Sequence, residues 1–349
     1  MRALAFESDF SARVFAPPIP IASSAVRVSA IIVTYNTGPS LWECLEGAAA
    51  DPALNEVVIV NNGNPDLQEH RLRAFVAQHA EKFVLLDGHG NVGFAKACNL
   101  GAQKARGAYL LFLNPDAVLL AGSVEALIDA GRGRSGIWLA GGRLLDVFGK
   151  EQRGARRGKL TIWNAASTFS GLSGLMTRLG GDAFKDVHWD REPLPTEPVM
   201  MPTVSGALML MPAAHFKQIG GFDESYFLHV EDIDLCRRIG EEGGSVVFTP
   251  RAAVKHYGST SKVSRFWVEW QKGKGLDIYF RKFASTPLEH VLAYAFSPVI
   301  RVALMARILV LSVQLNRRTA NMKRLRAIAG ERRLGEEAAP APASAENFA

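Results

Sequence analysis

Apolar runs and polar stops alternate through the first third of the chain. Val28 to Val33, Glu56 to Val60, Phe83 to Leu86 and Ala108 to Leu113 are rich in Val, Ile, Leu and Phe with little alternation, the pattern of strands covered on both faces. Three of them stop at polar, turn-forming groups: Thr34-Tyr35-Asn36-Thr37-Gly38-Pro39, Asn61-Asn62-Gly63-Asn64 and Asn114-Pro115-Asp116. Helical spacing fills the gaps, through Leu41, Cys44 and Leu45, then His70 to His79, then Ala95 to Ala105, where Gly107 ends it. Strands alternating with helices predict an α/β domain with a mostly parallel central sheet and flanking helices.

Beyond residue 120 the beat loosens. A helix over Ser123–Ala130 and a strand near Ile137–Ala140 precede a Gly- and Arg-rich stretch, Gly141 to Gly158, and an irregular region to about Pro198. A loop that long inside a compact domain reads as a lid or an acceptor-binding insertion. Order returns with the strand Ser205–Met211, the turn Gly220-Gly221-Phe222-Asp223-Glu224, a helix from Glu231 to Glu242 and a strand Val246–Phe248 leading to Pro250 and His256. The expected division is a loose lead-in over 1–26, the α/β domain over 27–285, a basic amphipathic helical region over 286–333 and a disordered tail over 334–349.

Charge changes the picture only at the C-terminus. The formal net charge is +6, but Arg301, Arg307, Arg317, Arg318, Lys323, Arg324 and Arg326 crowd one region. That suits an anionic partner such as a phospholipid surface, or simply a solvated basic helix. No stretch reaches the roughly 18 uncharged apolar residues of a spanning helix; Val299 to Leu315 carries Arg301 and Arg307, so lying along a membrane fits better than crossing it. Cys44, Cys98 and Cys236 are too scattered for a disulfide framework or a zinc site and are expected to be reduced. Glu7, Asp9 and Arg13 interrupt any secretory pattern.

The strand ends carry the chemistry. A parallel sheet puts Thr34-Tyr35-Asn36, Asn61-Asn62, Asn91-Val92-Gly93-Phe94 and Asn114-Pro115-Asp116 on one carboxyl rim, where open α/β folds bind ligands. Neither a Gly-x-Gly-x-x-Gly turn nor a phosphate-binding lysine loop is present, so a diphosphate there needs another device, and a cation held by Asp116 is the obvious one. Asn-Pro-Asp is equally an ordinary turn. In the second half, Glu231, Asp232 and Asp234 open a helix; acids cap helices, but an ionised Asp232 could also take a proton from an attacking hydroxyl. His256, after a strand, is either structural or a neutral imidazole completing a metal site.

These residues closely resemble glycosyltransferase family 2. The match runs through Val33-Thr34-Tyr35-Asn36, Val60-Asn61-Asn62-Gly63-Asn64, Asn91-Val92-Gly93-Phe94-Ala95 to Asn99 and Gly101, Leu113-Asn114-Pro115-Asp116, and Gly221-Phe222-Asp223-Glu224 to Glu231-Asp232-Ile233-Asp234, over roughly residues 27–285. The resemblance implies a GT-A fold and an inverting, metal-dependent transfer from a nucleoside diphosphate sugar. It implies donor contacts by Thr34, Tyr35, Asn36, Asn61, Asn91, Gly93, Phe94, Lys96, Asn114 and Asp116, with Mg2+ or Mn2+ on Asp116 and His256. Asp232 would be the base with Glu231 beside it, and Gly206, Asp223, Glu224 and Arg156 would meet the acceptor. Two positions depart from the family pattern: Asn61 replaces an Asp that reads the base, and Asn114 replaces the first acid of the metal motif. The Gln-x-x-Arg-Trp signature of processive members is absent, which favours single-sugar transfer.

Within the family the look is of the rhamnosyltransferase-like branch. It implies a dTDP- or UDP-linked donor, a polyprenyl diphosphate-linked glycan acceptor, a role in cell-surface polysaccharide synthesis and a peripheral position on the cytoplasmic face of the inner membrane, with no nucleic acid partner. Arg153, Arg156 and Arg157 become candidates for the acceptor diphosphate, and Arg281-Lys282 for the donor's. The alternatives are a soluble transferase acting on protein or a small molecule, its C-terminal helices forming a homodimer, and a non-catalytic glycan-binding module.

Overall fold

The computed structural model describes residues 27–306, apart from 171–172, 259 and 300. The expected lead-in, most of the basic region and the tail therefore lie outside the described residues. The first half is built as the apolar runs require. Strands β1 (Val28–Thr34), β2 (Glu56–Asn61), β3 (Phe83–Leu86) and β4 (Tyr109–Leu113) pair in parallel, in the order β3-β2-β1-β4. All seven residues of β1 and all six of β2 are buried. Successive side chains point to opposite faces of a strand, so Ala30, Ile32, Val57 and Ile59 enter one core while Ile31, Val33, Val58 and Val60 enter another. Each fully buried Val or Ile contributes about 1.5–3 kcal/mol, and α1 (Ser40–Ala50), α2 (Asp66–Gln78) and α3 (Phe94–Lys104) supply the covering faces.

The second half is mixed. After β5 (Ala117–Leu119) and α4 (Ser123–Gly131) come β6 (Trp138–Leu145) and a small ribbon of β7 (Arg156–Arg157) with β9 (Thr203–Val204). Strand β10 (Leu208–Pro212) lies between β4 and β6, antiparallel to both. Strand β11 (Ser245–His256) then runs parallel to β6, with β5 and β8 (Val199–Met200) antiparallel to it. Two reversals restore the original direction. The carboxyl ends of β1, β2, β4 and β11 and the start of β10 consequently share one rim.

Two sequence expectations were too short. The strands read at 137–140 and 246–248 extend to Leu145 and His256, because an irregularity between Phe248 and Ala253 absorbs Pro250 and Arg251 without ending the ladder. The irregular region also contains helices α5 (Ile162–Ser170) and α6 (Ser173–Gly180). After α7 (Ala213–Gln218) and α8 (Glu231–Glu241), helix α9 (Arg265–Lys282) had no counterpart in the sequence reading, since Gly273 and Gly275 interrupt its pattern. Both glycines are contact points. A Cβ on Gly273 would lie 3.3 Å from Arg301 Cγ, and one on Gly275 would lie 3.0 Å from the His229 carbonyl oxygen. Helix α10 (Pro287–Ala306) packs here through buried Ala293 and Leu304.

Candidate active site

Asp116 follows the β4 turn and is 5% exposed; His256 ends β11, opposite Ala117 in register. Adjacent strand ends thus bring Asp116 Oδ1 to 3.3 Å from His256 Nε2. The Thr260 hydroxyl donates to Asp116 Oδ2 at 3.0 Å, and Asn114 Nδ2 lies 3.4 Å from the same imidazole nitrogen. Burial would raise the Asp116 carboxyl, but His256 and Thr260 outweigh it and hold it below the ordinary value. Gln152 grips the far side of the ring, with Oε1 2.7 Å from Nδ1 and Nε2 donating to the His256 carbonyl at 2.6 Å.

This donor set fits Mg2+ or Mn2+. Two ligands cis on an octahedral ion at about 2.1 Å lie about 3 Å apart, close to the observed oxygen–nitrogen separation. Among the described residues no group of three or more His, Cys, Asp or Glu side chains could enclose a metal. Asp116 and His256 therefore suit an ion completed by diphosphate oxygens and water, the usual arrangement in phosphate-bearing sites.

The acids that open α8 have separate environments. Asp234 is fully buried, accepting from Arg238 Nε at 2.5 Å, Lys282 Nζ at 2.7 Å and the Tyr226 hydroxyl at 3.1 Å; it ties α8 to α9. Asp232 accepts from Arg157 Nη2 at 2.5 Å and the Gly206 amide at 2.9 Å on Oδ2, and from the Ile233 amide at 2.8 Å on Oδ1. Burial opposes its ionisation, yet Arg157, the Gly206 amide and the nearby His229 hold its carboxyl below the ordinary value. Glu231 is buried with Oε2 unpartnered, and burial, then the charge of Asp232, push its carboxyl up to about 8. At neutral pH one of the two neighbours is ionised and the other holds a proton.

One short segment joins the two sides. The Gly206 amide holds Asp232, and the next residue's carbonyl, that of Ala207, accepts from the Asn114 amide at 3.1 Å. A Cβ on Gly206 would lie 3.2 Å from Asp232 Cβ, so this position must stay small for the carboxylate to sit where it does. Two consecutive residues thus bond the Asp232 carboxylate on one side and the turn that carries Asp116 on the other.

The nucleotide rim is more internally bonded than expected. Thr34 is buried and shares its hydroxyl with Thr37 at 3.0 Å, so it shapes the turn. Asn36 adopts φ 47°, and its carbonyl accepts from the Lys262 amide. Tyr35 lies over Gly63, where a Cβ would be 3.6 Å from the ring. The Asn61 expectation needs correction. Its amide oxygen is occupied by the Gly63 amide at 3.1 Å and Asn64 Nδ2 at 2.7 Å, while its nitrogen donates to Glu69 Oε1 at 3.0 Å, leaving that oxygen no free face for a base. Asn91 caps its own turn by accepting from the Gly93 amide. Gly93 has φ 86°, and a Cβ there would strike the Phe227 carbonyl oxygen at 2.7 Å. The same carbonyl accepts from the Phe94 amide at 2.7 Å, binding donor half to acceptor half.

Lys96, expected at the donor, stands half exposed and 3.9 Å from Glu224, which was expected at the acceptor and also accepts from Asn99. Asp223 pairs with Lys282 at 2.6 Å. Lys282, committed to Asp223 and Asp234, is therefore not free for a donor diphosphate, and Arg281 stacks on Tyr294. Arg156 also needs correction. It is buried, with its guanidinium spent on Glu151 and the carbonyls of Glu192 and Pro193 rather than turned toward an acceptor. Its neighbour Arg157 is the arginine that touches the site. Gln152 and Thr260 carry no motif and were not anticipated; only the strand-end position of His256 hinted that something must orient it.

Residues 29–136 match Glycosyl transferase family 2, and residues 194–262 match the N-terminal domain of galactosyltransferase. The N-acetylglucosaminyl-diphospho-decaprenol L-rhamnosyltransferase of Mycobacterium tuberculosis (strain ATCC 25618 / H37Rv) is 28% identical over 248 residues, covering 65% of this chain and 75% of that protein. Rhamnosyltransferase WbbL of Escherichia coli (strain K12) is 25% identical over 238 residues, covering 65% and 82%. In fold, the chain resembles GalNAc-T7, solved with UDP, GalNAc and Mn2+, at TM-score 0.52 and 16% identity, covering 78% of this chain and 55% of that one. Mannosyltransferase PcManGT from Pyrobaculum calidifontis, solved with GDP-Man and Mn2+, gives 0.50 and 16%, covering 82% and 75%. With the rim motifs and these matches in agreement, the chain carries a glycosyltransferase family 2 domain over residues 29–136 and is a glycosyltransferase of the GT-A fold.

Proposed function

We propose that this enzyme transfers one sugar, rhamnose or another hexose, from a dTDP- or UDP-linked donor to a polyprenyl diphosphate-linked saccharide, with inversion. The reaction would serve cell-surface polysaccharide synthesis at the cytoplasmic face of the inner membrane. The observation that carries this reading is the Gly206–Ala207 link, which bonds the Asp232 carboxylate and the turn bearing Asp116, partner of His256, through adjacent residues. Asp116 and His256 would hold Mg2+ or Mn2+, which would supply charge neutralisation for the departing diphosphate. Asp232 accepts the proton of the acceptor hydroxyl through Oδ1, which has only the Ile233 amide on it. The new bond forms at the anomeric carbon as its bond to the diphosphate oxygen breaks, and the nucleoside diphosphate leaves. Glu231 carries its proton at neutral pH and so keeps a second negative charge away from the base.

The lipid-linked acceptor is supported by the relatives' substrates and by α10. Leu288, Val291, Tyr294, Val299 and Val302 are exposed on this helix. Its other side is fastened along the body by buried Ala293 and Leu304, by Phe296 against Trp163, and by an Arg301–Asp277 ion pair. By length and composition the helix is long and apolar enough to cross a bilayer; its lengthwise attachment favours lying in the interface. The test is a panel of nucleotide sugars with Mg2+ or Mn2+, offered polyprenyl diphosphate-linked N-acetylglucosamine or soluble saccharides. Transfer to the lipid-linked acceptor, lost in Asp232→Asn, is the expected result; full turnover by that variant removes the assigned base.

A further inference from the structure

The sequence from Leu144 to Gln152 folds back on itself. Leu145 bridges Glu151, and the Gln152 amide donates to the Leu144 carbonyl at 2.7 Å. This hairpin fixes the Gln152 backbone to the end of β6, beside the end of β11, and both side-chain amide atoms go to His256. The orientation of the amide is not arbitrary. The His256 carbonyl can only accept, so the Gln152 atom 2.6 Å from it is the nitrogen. The remaining atom, 2.7 Å from Nδ1, is then the amide oxygen, which can only accept. Nδ1 therefore carries a proton, and in the neutral imidazole the Nε2 lone pair is directed at Asp116 Oδ1, 3.3 Å away. A proton or a divalent cation between these two atoms satisfies both, and the ion takes the proton's place when it binds.

From this geometry we infer that Gln152 is a positioning residue, selecting the tautomer and ring orientation in which His256 ligates the divalent cation. The inference rests on the metal assignment made above and adds to it a residue that touches neither metal nor substrate. Partners of this kind hold a ligating imidazole in register, and their loss typically weakens metal binding 10–100-fold.

The experiment measures Mn2+ binding by the loss of the free-ion electron paramagnetic resonance signal, with saturating UDP or dTDP. Wild type, Gln152→Met, His256→Ala and the double variant are compared. Methionine keeps the length of the side chain and removes both bonds. The expected result is Mn2+ binding weakened 10–100-fold by Gln152→Met in the wild-type background, with no further loss when His256 is already alanine. Gln152→Glu keeps an acceptor opposite Nδ1 and should recover part of the affinity; it also serves if the methionine variant does not fold. Unchanged affinity in Gln152→Met, or an equal loss in both backgrounds, overturns the positioning role while leaving the metal site intact. No Mn2+ binding by the wild-type protein with either nucleotide overturns the metal assignment and this inference together.

Discussion

Asp232 and Glu231 are adjacent in sequence, yet the structure gives them opposite protonation preferences, and each preference can be tested. For Asp232 the largest influence, burial, works against the charge, and Arg157 reverses it. Arg157→Met should raise the Asp232 carboxyl, so the acid limb of the kcat/KM profile moves to higher pH. Turnover at neutral pH should fall by roughly tenfold or more as the carboxylate loses its orientation; an unshifted acid limb would show that another group titrates there. For Glu231 the folded-state value is raised to about 8, above its ordinary 4.5. Its contribution to stability is fully present below the ordinary value and is lost as pH rises through about 8. Glu231→Gln, which cannot ionise, should melt at nearly the wild-type temperature at pH 5 and several degrees above it at pH 9. Equal melting temperatures at both values would mean that the carboxyl is not held neutral. The resemblance named Asp232 as the base beside Glu231, but what sets their opposite protonation was not visible in the sequence. It depends on an arginine 75 positions away, for which local spacing holds no signal.

At the scale of elements, the parallel half was legible because strands covered on both faces cannot hide their composition: β1 and β2 read as unbroken Val and Ile runs. The strand-end motifs were legible for the same reason, since a carboxyl rim follows from knowing where each strand stops. What escaped was set by packing. Helix α9 tolerates Gly273 and Gly275 because neighbouring chain occupies the space where their side chains would be. The division of Arg156 from Arg157 follows from adjacent residues on a strand pointing to opposite faces, with only one of those faces meeting Asp232. The most exacting junction is the entry to α3. There Gly93 sits at φ 86°, and the Phe94 amide bonds the Phe227 carbonyl. Gly93→Ala adds a strained backbone and a Cβ within 2.7 Å of that oxygen, a backbone atom unable to yield cheaply. The expected cost is about 2 kcal/mol or more in denaturant unfolding, with donor and acceptor halves shifted apart and turnover reduced. A variant as stable and active as wild type would mean the junction is looser than its geometry.

For the whole molecule, the proposed lipid-linked acceptor makes the placement of Asp232 relative to a membrane surface testable. Helix α10 packs against α9, which through Lys282 and Asp234 is bonded to α8, the helix that begins with the base. A surface that docks α10 therefore sets the height of Asp232 above it by a short, rigid path. Val299 and Val302 lie on the exposed side, 58% and 68% accessible, so replacing both with aspartate leaves the packed side undisturbed. Two carboxylates pressed toward an anionic bilayer lose apolar burial and meet like charge, and together these exceed the 1.4 kcal/mol that corresponds to tenfold. The double variant should therefore sediment at least tenfold less with phosphatidylglycerol vesicles and lose transfer to acceptors embedded in them. Transfer to a detergent-dispersed acceptor should persist near the wild-type rate, because Asp116, Asp232 and His256 are untouched. Unchanged sedimentation would assign the exposed face to another use, and a wild-type dimer that the same substitutions dissociate would identify that use as self-association.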